Sequence, residues 1–473
     1  MPLTNSIPLL WESFATLTKT ELRELDRLVR SPFFNRKEQL VRLFVYLRKC
    51  RDSDTVPSPE AACLAAYPDT PFDVTKLRLA YSDLLELLEQ YWIVQAALAD
   101  KIQGKIRLAA AYRQRGLDKP LKIALREAQA AVAQYPLRNA PYYEVLHDLE
   151  MEVYQAAAAD KRYEAFNLQA ISDWSDVAYI AHKLQHLCTA LSHQAVFKTE
   201  YRFGLMAPIF AYILEENLLR HPPIALYYHA AQFLSNPDLE QHFTSFNEAL
   251  RQYAHFFPEE ELRTLYLLAI NFGVKKCNTG LYEWHRATFD LYKEALARQL
   301  LLDRGTLSRF AYNNIAIIGG KVGETIWVEN FLMAYKPLLE RTWREASFSL
   351  NMARLEYHRK RYKEALHYLQ HADYKDFINS MNAKLLQLKI YFDTGEQEVL
   401  ESHLDSMQRY IKRHRAGGYH RDNYLQIVQF TRALLYLPPH ASAEAAALRE
   451  AIQKTSGLTE REWLLEKLGA WEK

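Results

Sequence analysis

The chain of 473 residues is predicted to be all-α, a stack of helical hairpins behind an N-terminal helical module, and three observations carry that prediction. A spacing returns: Asn271 with Gly273, Asn314 with Ala316 and Asn351 with Ala353 are each followed, nine positions after the asparagine, by a turn residue, Gly280, Gly323 or Lys360. A fourth copy keeps Gly395 but carries Leu386 and Leu388 at the paired sites. A helix, a break and a second helix recurring at intervals of about 35 to 43 residues is how helical-hairpin solenoids are written. Glycine is scarce, 14 residues against 30 Tyr and 22 Phe, which favours helices filled with aromatics. No alternation of apolar and polar residues is long enough to support a sheet, and no Ser/Gly-rich linker divides the chain.

The first hundred residues read as a module of their own. Thr18 and Glu21 have the spacing of a capping box, and Leu22, Leu25, Leu28 and Val29 follow at helical period until Ser31-Pro32, so a helix is expected from about Thr18 to Arg30. Lys37 to Lys49 repeats the pattern with Leu40, Leu43, Phe44 and Leu47. Arg51 to Pro57 is polar and expected to be a loop, and Ser58-Pro59 opens another helix with a cap residue and the proline that a first turn tolerates. From Asp73 the run Leu77, Leu84, Leu85, Leu88, Tyr91 and Trp92 predicts a long amphipathic helix reaching Ala96. A second region, 101–221, holds long helices: one hairpin turning at Gly116, then two or more helices between Tyr142 and Phe197 with a turn near Asp160-Lys161. In the third region, 222–436, breakers fall at regular intervals and place hairpins starting near Ile224, Tyr266, Ser308, Ala346 and Met381. Residues 437–473 are expected to cap the stack, with Thr459 and Glu462 as a second capping box and Trp463, Leu464, Leu465 and Leu468 as the packing face.

Composition narrows the function. A net charge of +2, from 59 basic and 57 acidic residues, gives no global field to gather nucleic acid or a membrane surface. Cys50, Cys63, Cys188 and Cys277 form no CxxC pair, so neither a zinc knuckle nor a disulfide framework is expected. The start, Met1 to Asn5, lacks the marks of a secretion signal, and the longest apolar stretch, Leu205 to Leu214, is interrupted by Pro208 and falls short of a membrane span. The expected compartment is the cytoplasm.

Within Ala346 to Asp373, the residues Met352, Ala353, Tyr357, Tyr362, Ala365, Leu366, Leu369 and Ala372 resemble the consensus of a tetratricopeptide repeat. The sequence departs from it at Glu356, where the family usually carries an aromatic, and at Phe377, near its closing proline. Neighbouring segments keep parts of the pattern: Ala316 with Gly323, Tyr391 with Gly395, and Tyr282 after Gly280. The resemblance implies a right-handed superhelix whose groove is lined by first helices and whose usual ligands are proteins. It also implies that Asn271, Asn314 and Asn351 fall at equivalent places on the first helices, with Arg354, Tyr357 and His358, and Asn382 and Lys389 of the next repeat, on the same face. An amide both donates and accepts, so such a row can pair with an extended main chain, and the cations suit an acidic segment. The other account of the asparagines is that each lies between helices and satisfies neighbouring backbone.

Other fragments carry competing chemistries. His182 and His186, with Cys188 and His193 beyond, have metal-ligand spacing, but Lys183 stands where a zinc protease has its glutamate; His367 and His371 repeat the spacing. Solvated helix positions account for both pairs, and no metal or cofactor is expected. Arg409 to Arg413, with His414, Arg415, Tyr419, His420 and Arg421, forms the densest basic segment. Cations with interleaved aromatics hold phosphates and bases, and they also gather at helix C-termini before a glycine stop, the reading taken here. Gly319 to Gly323 lacks the Lys-Ser/Thr ending of a phosphate loop, and His420-Arg421-Asp422 lacks the asparagine and Asp-Phe-Gly of a kinase. The expected function is therefore a non-enzymatic scaffold that receives a peptide or helix of a partner protein, with nucleic-acid binding through residues 409–421 as the alternative.

Overall fold

A computed structural model describes residues 6–158, 166–197, 199–278, 282–370, 377–413, 418–438, 440–455 and 457–471. By their contacts the residues divide into two units, Met1–Tyr135 with Glu144–Ser175, and Pro136–Tyr143 with Asp176–Lys473, so the division falls inside the region 101–221.

Local chemistry sets the helices of the first unit. Helix α1 (Ser6–Thr16), absent from the expected elements, precedes α2 (Lys19–Val29). The capping box at the start of α2 is formed on both sides: Glu21 N donates to Thr18 Oγ1 at 3.2 Å and Thr18 N to Glu21 Oε2 at 2.6 Å. Helix α3 (Glu38–Asp52) runs three residues beyond the expected Lys49. Ser58 accepts from Ala61 N at 3.2 Å with Pro59 in the first turn of α4 (Pro59–Ala66), and Asp73 accepts from Thr75 N and Lys76 N to open α5 (Val74–Ala99). These five helices enclose one apolar cluster in which Leu10, Phe14, Leu25, Phe44, Leu77 and Tyr81 are buried. Helices α6 (Lys101–Gln114) and α7 (Asp118–Gln134) form the hairpin expected around Gly116, closed on Ala109, Leu121 and Ala124. Helices α8 (Ala140–Ala158) and α9 (Leu168–Val196) contribute residues to both units.

The second unit continues with α10 (Met206–Glu215) and then runs as helix pairs: α11 (Pro222–Ser235) with α12 (Glu240–Tyr253), α13 (Glu259–Asn278) with α14 (Glu283–Ala297), α15 (Arg309–Lys321) with α16 (Thr325–Tyr335), α17 (Arg344–His358) with α18 (Tyr362–Gln370), and α19 (Phe377–Thr394) with α20 (Gln397–Arg413). Four of these pairs open within a few residues of the expected starts, and the second opens at Glu259, ahead of the expected Tyr266. Helices α21 (Gly418–Leu435), α22 (Ser442–Lys454) and α23 (Arg461–Trp471) complete it. Partners pack on each other, and first helices also touch across pairs, α11 on α13, α15 on α17 and α17 on α19. Between α14 and α15 a two-residue hairpin, β1 (Leu302–Asp303) with β2 (Thr306–Leu307), turns at Arg304 and Gly305. Strands this short leave no periodicity to read. The predicted turns at Asp160-Lys161 and Gly280, and the residues His371, Ala372 and Asp373, lie outside the described residues.

The recurring turn residue has a backbone cause. Gly323, Lys360 and Gly395 all have positive φ, 81°, 59° and 72°. At each, the same two bonds close the preceding helix: Gly323 N to Gly320 O and Glu324 N to Gly319 O, Lys360 N to Tyr357 O and Arg361 N to Glu356 O, Gly395 N to Phe392 O and Glu396 N to Tyr391 O. This is the Schellman pattern, which satisfies the last carbonyls of a helix and reverses the chain in the fewest residues. A left-handed residue suits glycine; Lys360 adopts it at a cost of about 1 kcal/mol.

Departures from the repeat consensus also have a cause. Glu356 is 4% exposed, and its carboxylate takes Arg359 Nη1 at 2.9 Å and Arg361 Nη1 at 3.5 Å, while Arg359 also reaches Glu329 of α16 at 2.6 Å. An ionic network thus holds α17 to α16 at this position.

One buried histidine makes this unit sensitive to acid. His221, just before α11, faces Tyr143 Oη through Nδ1 at 3.3 Å and receives Arg220 Nε on Nε2 at 3.3 Å. Burial, with Arg220 adding to it, pushes its pKa down from 6.5 to about 4. The unfolded chain takes up this proton near pH 6.5 and the folded chain only near 4, so the unfolded state binds more protons in that window and stability falls as pH drops through it. The contribution is about 2 to 3 kcal/mol. In urea titrations across the window, His221→Gln is expected to show a shallower loss of stability than the parent; parallel curves would contradict the assignment.

Candidate peptide-binding site

Three helices contribute cations, Lys321, Arg354 and Lys389, whose charges all act on His358. Lys321 ends α15, Arg354 and His358 lie in the last turns of α17, and Lys389 lies in α19. The repeat spacing puts them there: Lys321, His358 and Asp393 each stand seven residues after Asn314, Asn351 and Leu386, and Arg354 and Lys389 each stand three after Asn351 and Leu386. Two turns of helix return a side chain to the same face. Lys321 stands in the last turn of α15, where the partial negative charge of a helix C-terminus favours a cation.

His358 reports the field of this group. It is exposed, yet its pKa is lowered, first by desolvation and then by Lys389, Arg354 and Lys321. Its ring lies over Gly320, where an added Cβ would come within 3.5 Å of Cδ2, so the glycine leaves the ring its place. Near neutral pH the imidazole is uncharged and offers one donor and one acceptor beside three permanent cations.

Behind the cations the polar groups are tied inward. Asn351 is 1% exposed; its Nδ2 donates to Ser347 O at 2.8 Å and Asn313 Oδ1 at 2.6 Å, and its Oδ1 accepts from Arg354 Nη1 at 3.1 Å. This amide positions Arg354 rather than meeting a ligand. Tyr357 Oη donates to Asp393 Oδ2 at 2.7 Å, and burial followed by that carboxylate drives its pKa up. Asn382 is half-buried and accepts from Tyr424 Oη at 3.2 Å. Asn314, half-buried, donates to Tyr292 Oη at 3.4 Å, and Asn271 is exposed on α13. The asparagines thus grade from exposed to buried along the stack.

Of the eight residues that sequence marked, Arg354 and Lys389 act on His358 through charge, and Asn351 is bonded to Arg354. Lys321 was missed because Gly319 to Gly323 reads in the sequence as an interhelical turn, whereas α15 continues through Lys321; its register with His358 is the signal that could have found it. Also missed were ion pairs with the chain's own C-terminal segment. Lys389 pairs with Glu460, Lys321 with Glu462 at 3.5 Å, and Asp393 with Lys467 at 2.8 Å.

The rings of His182 and His186 lie 6.2 Å apart, and among the described residues no group of three or more His, Cys, Asp or Glu side chains has metal-binding geometry. Cys188 is buried, its thiol directed at Tyr227 O at 3.4 Å and its pKa pushed up by desolvation. A histidine pair that spacing does not reveal is His229 of α11 and His242 of α12, whose Nδ1 atoms are 3.0 Å apart. One nitrogen donates and the other accepts, so no second proton fits between them. In the basic segment, His414, Arg415 and Gly417 lie outside the described residues. Tyr410 there is stacked on Phe377 at 5.9 Å with Lys384 over its ring, and Ile411 is buried. Among the described residues, no helix is long and apolar enough to cross a membrane. No protein-family model, no curated protein and no solved structure matches this chain.

Proposed function

We propose that the chain is a non-enzymatic scaffold, its second unit a tetratricopeptide-like solenoid that receives an acidic segment of a partner protein on the face formed by Lys321, Arg354, His358 and Lys389. The observation that carries this reading is that Lys321, Arg354 and Lys389, from α15, α17 and α19, all act on His358 and that Lys321 and Lys389 reach acids two residues apart, in a chain whose overall charge is close to balanced. The Schellman turn repeated after α15, α17 and α19 supports the solenoid, since equal turns give equal helix orientations and so align equivalent positions. Guanidinium and ammonium groups offer charge-assisted hydrogen bonds to carboxylates, and a neutral imidazole between them selects for an acceptor or donor in register. Asn351 acts by fixing Arg354, a narrower role than holding a peptide main chain.

The test is a fluorescence-anisotropy titration of the full chain with a glutamate-rich synthetic peptide and a lysine-rich one of equal length. Binding of the acidic peptide alone, weakening as salt is raised, is expected. Equal binding of both peptides would contradict the reading.

A further inference from the structure

The cationic face already carries a ligand, and it comes from the chain itself. Helix α23 lays Trp463, Leu464 and Leu468 into the apolar cluster of α19 and α21, where all three are buried and Trp463 meets Phe392 edge-on at 5.4 Å. Its approach is fixed by Asn423, 3% exposed, whose Oδ1 accepts from Thr459 N at 3.0 Å and whose Nδ2 donates to Thr459 Oγ1 at 3.0 Å. That use of Thr459 replaces the capping box expected with Glu462, and the helix begins at Arg461. The acids that follow then reach backwards over the first helices: Glu460 to Lys389 on α19, and Glu462 to Lys321 on α15.

We propose that the turn from Thr459 to Trp463 is a built-in competitor for the partner site, so that the partner is an amphipathic helix of the same chemistry, an acidic first turn followed by an aromatic and leucines one turn apart. This rests on the reading of the face as a site for acidic segments and adds what controls it. The two parts of the contact differ in strength. The Lys321–Glu462 pair is open to water, its side chains 37% and 67% exposed, and such pairs stabilise little. Lys389–Glu460 is mostly enclosed, 16% and 22% exposed, with the Trp463 ring 5.6 Å from the ammonium. A tethered segment acts at an effective concentration of about millimolar, so a free helix of equal intrinsic affinity competes poorly until the tethered acids are lost.

The experiment uses the full chain and a fluorescein-labelled synthetic peptide with the sequence of residues 455–471 as the probe, beside the glutamate-rich peptide. Glu460→Lys with Glu462→Lys removes the tethered charge, and Leu464→Asp, a second variant, removes the apolar seat. Each is expected to bind the probe at least tenfold tighter than the parent, and adding Lys321→Glu and Lys389→Glu to the first is expected to abolish the gain. Unchanged probe affinity in both variants, with cooperative melting retained, overturns the proposal; should Leu464→Asp not fold, the charge variant decides alone. Concentration-dependent dimers of the parent would assign the seat to a second copy of the chain and overturn it as well. If the glutamate-rich peptide binds parent and variants equally, the site stands and the competition fails; if it binds none of them, the site itself fails.

Discussion

Gly273→Leu is expected to lower the stability of the second unit by about 3 kcal/mol, and Gly273→Ala by about 1 kcal/mol. Gly273 lies inside α13, and a Cβ built on it clashes with Thr288 Oγ1 of α14 and stands 3.1 Å from Thr288 Cγ2. Two effects oppose each other. Alanine improves helix propensity over glycine by about 1 kcal/mol. Against this, Thr288 is fully buried, and as a β-branched residue it has few rotamers with which to withdraw. The clash therefore wins, and by more as the side chain grows. The pair should be coupled: Gly273→Ala combined with Thr288→Ala is expected to recover most of the loss, because the second change removes the atoms that the first one meets. Shifts in urea midpoint for the single and double variants check this. A Gly273→Leu chain as stable as the parent would mean that α13 and α14 do not approach as described.

That contact also shows how far the sequence could be read. A small residue two positions after the recurring asparagine is a packing signal, and at Gly273, Ala316 and Ala353 the structure buries it in a helix contact. Turn residues were legible for a related reason: a left-handed position restricts residue choice, so Gly116, Gly323 and Gly395 mark helix ends directly. Lys360 pays no attention to that preference and is visible only through its register with the others. Capping residues such as Thr18, Ser58 and Asp73 were equally local.

What failed to show in the sequence depends on distance along the chain. Nothing near Lys321 announces Glu462, and nothing near Lys389 announces Glu460; each pair is made by the return of α23 over earlier helices. Burial was also hidden. Asn271, Asn314 and Asn351 share one spacing to the turn residue that follows, yet the first is exposed and the last has its amide bonded to Ser347, Asn313 and Arg354. The difference lies in the neighbouring helix, not in the repeat. Glu356 follows the same logic, since only the presence of Arg359 and Arg361 makes a buried carboxylate tolerable there.

The charge group is the part of this account with the largest consequence for binding. Lys321→Glu with Arg354→Glu replaces two attractions by two repulsions at one face while leaving the apolar core of α15 and α17 intact. Neither side chain is buried, so the fold is expected to melt within a few degrees of the parent. Arg354 also bonds Asn351, which retains Ser347 and Asn313 as partners. Affinity for an acidic helix should fall at least tenfold, equivalent to about 1.4 kcal/mol, with the loss largest at low salt. The most direct measurement is therefore the dissociation constant of the glutamate-rich peptide for the parent and for this double variant, taken side by side at low ionic strength. A tenfold or greater weakening with an unchanged melting temperature is the predicted result. Equal affinity of the two folded chains would show that the acidic segment is not received at the ends of these three helices.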